Sequence, residues 1–162
     1  MNGVLVGAAI VAVFVGIVWV SITLAGQDAR DASRVADIQT LQQGLQTYYT
    51  HNQSFPTSLT MLAPKYLGTV PTDPSSGRAY LYTAYATSSK ACTSGRASAY
   101  HLGAALEGHT AATIAGNSDA PATPPSGEVL CSMSGFDGAS NKCLAILANT
   151  PEGGDNCYDV VN

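Results

Sequence analysis

The chain has 162 residues, a formal net charge of −4, and charged side chains at only 11% of positions. That length fits one domain with a modest core. Residues 101–162 hold seven acidic side chains and only Lys142 as a base, which excludes the basic stripe of a nucleic-acid binder from that region. The abundance of Ser, Thr, Gly and Ala suits a secreted surface better than a cytosolic enzyme.

Residues 4–24 carry no charge and include seven valines, three isoleucines and two leucines, with Phe14 and Trp19. As a helix this run is about 31 Å long, enough to cross a bilayer core. No basic residue precedes it, and it exceeds the h-region of a signal peptide, although Thr23-Leu24-Ala25 loosely imitates a cleavage site. A single-span membrane anchor is the plainest reading. Small residues recur along it: Gly3 and Gly7 form a G-x-x-x-G, and Ala8, Ala12 and Gly16 continue a small-x-x-x-small row. Such rows let helix backbones approach closely. A helix apolar on every side needs lipid or other helices around it.

No proline occurs before Pro56, so one continuous helix is expected from about residue 3 to residue 51. Its charged stretch holds Asp28, Arg30, Asp31, Arg34 and Asp37, with Asp31–Arg34 and Arg34–Asp37 spaced as i,i+3 pairs. These charges read either as a solvated helix surface or as matching groups between neighbouring stems. From Ile38 a narrow apolar stripe begins: Ile38, Leu41, Leu45 and Tyr48, with Gln39, Gln42, Gln43 and Gln46 off it. A globular domain should dock there. His51 reads as a capping or surface residue. Pro56 pushes Phe55 towards an extended conformation.

Residues 57–62 read as a capped helical turn, and Val70-Pro71-Thr72-Asp73-Pro74 as a rigid extended turn. Strands are expected at 80–86, with Tyr80, Tyr82 and Ala84 on one face, and at 99–107, with Tyr100, Leu102, Ala104 and Leu106 on one face and His101 on the opposite, more polar one. Residues 88–95 read as a loop holding Cys92, and 111–127 as an irregular loop. A third strand is expected at 128–133, and at most a short one at 143–147. The predicted organisation is a hydrophobic stem at 1–27, an amphipathic continuation at 28–52 and a globular α+β head at 53–162. Ile38, Leu41, Leu45 and Tyr48 should pack against Leu59, Leu62, Tyr82 and Leu102.

The four cysteines, Cys92, Cys131, Cys143 and Cys157, all lie beyond the apolar run. Their even number indicates two disulfides outside the cytoplasm. Zinc modules pair cysteines two to four residues apart, whereas the separations here are 39, 12 and 14. Three pairings are open. Cys92–Cys131 with Cys143–Cys157 is the working expectation, since the second closes a short loop and the first pins the long irregular one. No P-loop, G-x-G-x-x-G, H-E-x-x-H, G-x-S-x-G or C-x-x-C occurs, and His51, His101 and His109 share no metal-ligand spacing. The sequence therefore assigns no catalytic residue, cofactor or metal. Asp137, Asn141, Glu152 and Asp155 have calcium-type oxygens in glycine-rich loops, which turn chemistry explains equally well. Asn52-Gln53-Ser54 is a glycosylation sequon.

The order of these features carries a resemblance. The stretch from Arg30-Asp31 through Val35-Ala36-Asp37-Ile38, Leu41, Leu45, Tyr48-Tyr49, Phe55-Pro56-Thr57-Ser58-Leu59, Leu62, Tyr66-Leu67 and Val70-Pro71-Thr72-Asp73-Pro74 to Tyr80 resembles type IV pilins and the pseudopilins of type II secretion. Residues 100–107 are similar to the next strand of such proteins, and Cys157-Tyr158-Asp159-Val160 to their tails. The resemblance implies a type IV pilin-like fold: a long N-terminal helix on a small antiparallel sheet, with a disulfide-stapled, loop-rich C-terminal region. It also implies a structural subunit, not an enzyme, whose partners are copies of itself, the inner membrane before assembly and the pilus assembly machinery. Its place would be an extracellular filament. The polymerising residues would be Gly3, Val4, Leu5, Gly7, Ala8, Ile10, Val11, Ala12, Phe14, Gly16, Ile17 and Trp19, with Arg30 and Arg34. Family members usually carry a glutamate five residues into the mature chain. The present sequence opens Met1-Asn2-Gly3-Val4-Leu5, which leaves register to stem packing and the two arginines. A pseudopilin, a membrane-anchored monomeric binding module and a small anchored enzyme are the alternative readings.

Overall fold

The computed structural model describes residues 2–108, 114–120, 124–131, 143 and 157–162, with side chains from Ala25 onwards. Helix α1 (Asn2–Asn52) is unbroken over 51 residues, about 76 Å at the α-helical rise. It ends where Gln53 takes a left-handed backbone, φ 52°, a conformation that cannot extend a helix. The Gln53 N–H still donates to Tyr49 O at 2.8 Å, closing the last turn. The chain then leaves through Phe55, whose N–H and C=O both bond Ala97.

The apolar stripe docks as its period requires. Ile38, Leu41 and Leu45 are fully buried and Tyr48 nearly so, in one core with Leu59, Leu62, Phe55, Tyr100 and Leu102 and with Tyr82 at its edge. Each such apolar side chain contributes about 1.5–3 kcal/mol through burial. Leu59–Leu62 forms the expected single turn, as a 3₁₀-helix capped by the Ser58 hydroxyl, which accepts from Thr60 N–H. Phe55 joins two stacks, with ring centroids 4.7 Å from Tyr49 and 4.9 Å from Tyr100.

The sheet is antiparallel with four strands: β1 (Leu81–Ala86), β2 (Ala99–Ala105), β3 (Val129–Leu130) and β4 (Cys157–Val161), in the order β3-β1-β2-β4. Tyr82 lies opposite Leu102, and Leu102 opposite Val160. Together with Tyr80, Ala84, Tyr100, Ala104 and Tyr158 these form the face that meets α1. The fold is therefore α+β, a long N-terminal helix on an antiparallel sheet, with two disulfides. These pair Cys92 with Cys131 and Cys143 with Cys157, as the loop argument expected.

Several expectations need correction. Residues 88–95 are not all loop: Ser89–Thr93 forms a short helix, α2, because the Ser88 hydroxyl caps it by accepting from Ala91 N–H. The second strand stops at Ala105, and just beyond it the N–H groups of Glu107 and Gly108 turn to the Asp31 carboxylate. Of the third strand expected at 128–133, Val129 and Leu130 pair as β3 and Cys131 N–H adds one bond to Ala84 O at 2.8 Å, while residues 132–133 lie outside the described residues. His101 does lie on the opposite, more polar face, where it is fully buried beside Asp159. Strand β4 itself was not anticipated. The strand expected at 143–147 lies, except for Cys143, outside the described residues. Among the described residues no helix is long and apolar enough to cross a membrane. The side chains of residues 4–24, where the sequence places that run, are outside the description.

Candidate assembly site

The residues expected to drive polymerisation divide at Ala25. Gly3, Val4, Leu5, Gly7, Ala8, Ile10, Val11, Ala12, Phe14, Gly16, Ile17 and Trp19 lie on the N-terminal half of α1, and nothing is described of their side chains. Arg30 and Arg34 lie at the root of the stem, where α1 first meets the head.

At this root Arg34 is 3% exposed and bonded to three carboxylates from three parts of the chain. Its guanidinium donates to Asp31 on its own helix at 2.7 Å, to Asp73 in the extended turn at 2.5 Å and to Glu107 beyond β2 at 2.5 Å. Asp31, 2% exposed, also accepts the Glu107 N–H at 2.9 Å and the Gly108 N–H at 2.8 Å. Arg30 adds a fork to Glu107, its Nε donating to both carboxylate oxygens at 3.0 and 3.1 Å. Asp73 is held from the other side by the Ser75 and Ser76 N–H groups and the Ser76 hydroxyl, the usual side-chain capping of a turn. Of the two expected i,i+3 pairs, Asp31–Arg34 forms, while Asp37 accepts from the Tyr80 hydroxyl at 2.6 Å.

These contacts set the protonation states. Burial alone would raise the Asp73 carboxyl, but Arg34 and the Ser76 donors hold it far below the usual carboxylate range. Hydrogen bonds from Arg30 and then Arg34 depress Glu107. Burial works to lower Arg34, and its three carboxylates outweigh that and raise it. Tyr80 is pushed up, first by burial and then by the Asp37 carboxylate. Arg34 thus meets counter-charges inside its own chain. Arg30 is 38% exposed and keeps part of its surface open.

A second polar cluster lies on the opposite face of the sheet. His101 Nε2 and Asp159 Oδ2 are 2.7 Å apart, with neither side chain exposed. Asp159 accepts the N–H groups of Asp119 and Ala120, each at 3.0 Å. Its own N–H donates to the Asn117 side chain at 2.9 Å, and its C=O accepts from Ser118 N–H. This cluster fastens residues 117–120 to the sheet.

His51 is exposed beside the Tyr66 ring, with centroids 5.9 Å apart, and Asn52 donates its side-chain amide to Tyr48 O and the Tyr66 hydroxyl. Among the described residues no three His, Cys, Asp or Glu side chains are grouped to hold a metal ion. Asp137, Asn141, Glu152, Asp155 and His109 lie outside the described residues.

Asp73, Glu107 and Asp159 were not singled out from sequence. Arg34 could have been placed: stepping back from Ile38 by four and then three residues lands on Arg34 and Asp31, on the buried face. Nothing local marks His101 and Asp159 as partners, since they are 58 residues apart. No protein-family model, curated protein or solved structure matches the chain.

Proposed function

We propose that the protein is a pilin-type structural subunit that polymerises through its N-terminal helix into an extracellular helical filament, and that it waits in the cytoplasmic membrane before assembly. The observation that carries this reading is the unbroken course of α1. One helix holds the apolar run of residues 4–24 in its N-terminal half and buries Ile38, Leu41 and Leu45 in the head with its C-terminal half. Such a helix makes a rigid mount, so stems that bundle would array their heads at fixed spacing.

A fully apolar stem cannot remain in water at about 25 cal/mol per Å² of apolar surface. Identical stems satisfy it as well as lipid does, and the small residues Gly3, Gly7, Ala8, Ala12 and Gly16 permit close approach. A heterologous contact of this kind does not close on itself and grows as a helix. With Arg34 engaged inside the chain, register rests on stem packing and on the exposed part of Arg30.

Negative-stain microscopy of material sheared from cells tests the reading. Wild-type cells should yield thin filaments containing this chain. Gly7→Leu should abolish them, while oxidised, folded protein persists in the membrane fraction. Wild-type protein found only as membrane-embedded monomers would overturn the reading in favour of a plain anchor.

A further inference from the structure

Helix α1 is held to the head by two chemically distinct stretches. Residues 38–48 are seated by apolar burial. In residues 25–34 the apolar members Ala25, Ala29 and Ala32 are exposed, and the helix is tied to the head by Arg30, Asp31 and Arg34 reaching Asp73, Glu107 and Gly108. An open groove lined by Gln27, Arg34, Asp73, Arg78, Tyr80 and Glu107 brings solvent against these contacts. Water can therefore hydrate Arg34, Asp73 and Glu107 if the stretch separates, which favours local opening.

We propose that this ionic stretch is an acid-released latch. When its carboxylates are protonated, residues 27–34 of α1 part from the turn at 73–78 and from residues 107–108, while residues 38–48 stay seated. The groups that face one another across the latch are Arg30, Asp31 and Arg34 on the helix, with Asp28 and Asp37 on either side, Asp73, Arg78 and Tyr80 on the turn and the strand start, and Glu107 beyond β2. Asp73 and Glu107 are held below their ordinary range in the closed form. Their contribution is thus fully present above that range and disappears as the pH falls through it into their depressed values. With the latch open, α1 is free to bend or unwind at its root near Gly26 without loss of the head's core. The inference does not depend on the filament reading.

Hydrogen exchange of the full chain in detergent micelles tests it, with rates corrected for the intrinsic pH dependence. Between pH 7 and pH 2.5, peptides covering 27–34, 72–79 and 105–108 should lose protection at least tenfold, while those covering 38–48 and 81–86 change less than twofold. Arg34→Met should give the open pattern already at pH 7 and abolish its pH dependence. Asp73→Asn, which keeps shape and loses charge, should move the opening to higher pH if the Met variant does not fold. Latch and core peptides losing protection together, or latch peptides still protected at pH 2.5 with Asp73→Asn unchanged, would overturn the latch.

Discussion

Both faces of the sheet bury side chains, by different physics, although Leu81 and Val161 on the second face stay exposed. The face towards α1 is closed by apolar side chains with helical and strand periods, among them Ile38, Leu41, Leu45, Tyr100 and Leu102. The other face buries polar groups: Thr83, His101 and Asp159, each 2% exposed or less, with residues 117–120 fastened to Asp159. Apolar packing tolerates small errors of position and yields stability in proportion to area. A buried His–Asp pair tolerates little, because every lone pair removed from water needs its own donor. Strand alternation therefore identifies the two sides of a sheet, whereas what covers the second side depends on partners distant in the chain.

The sharpest way to break the comparison is to remove one member of the polar face. Asp159→Ala removes the bond to His101 and frees the N–H groups of Asp119 and Ala120, and should cost about 3–5 kcal/mol, read as a lower denaturation midpoint of the full chain in mild detergent. Leu41→Ala on the apolar face should cost about 3 kcal/mol by leaving a cavity, with residues 117–120 as protected from exchange as before. If Leu41→Ala were the more damaging and Asp159→Ala nearly neutral, the polar face would be a passive cover. Cys92→Ser with Cys131→Ser should cost about 2 kcal/mol and release the two-residue strand β3 from β1, seen as faster exchange of the residue 131 N–H that donates to Ala84 O and little change at β2. Gly44→Ala, where a Cβ would lie 2.8 Å from Leu67 Cδ1 and Cγ, should cost about 1 kcal/mol net, since overpacking is partly offset by the better helix propensity of alanine.

Much of the apolar face was legible in the sequence. The stripe from Ile38 to Tyr48 and the alternation in β1 and β2 fixed the side that each residue takes. Extended backwards, the same stripe locates Asp31 and Arg34, so their burial follows from period alone; their partners do not. Asp73 was visible as a turn residue in Val70-Pro71-Thr72-Asp73-Pro74, but its reach to Arg34 is a long-range contact. Glu107 sits where alternation simply runs out, and β4 follows a Gly- and Asn-rich tract in which five residues give too little pattern. Its register comes from β2, with Gly103 opposite Asp159, and only that pairing brings Asp159 near His101. The short helix at Ser89–Thr93 was missed because its signal is a single capping serine.

One uninterrupted helix serves both the apolar stem and the head. Carbon secondary shifts from solid-state NMR of the full chain in lipid, read from Ile22 to Asp37, test it most directly. The account predicts helical shifts at every position, with at most a local weakening at Gly26, where glycine is the poorest helix former of the stretch. A non-helical segment longer than one turn between Ile22 and Asp37 would make stem and head separate elements and contradict it.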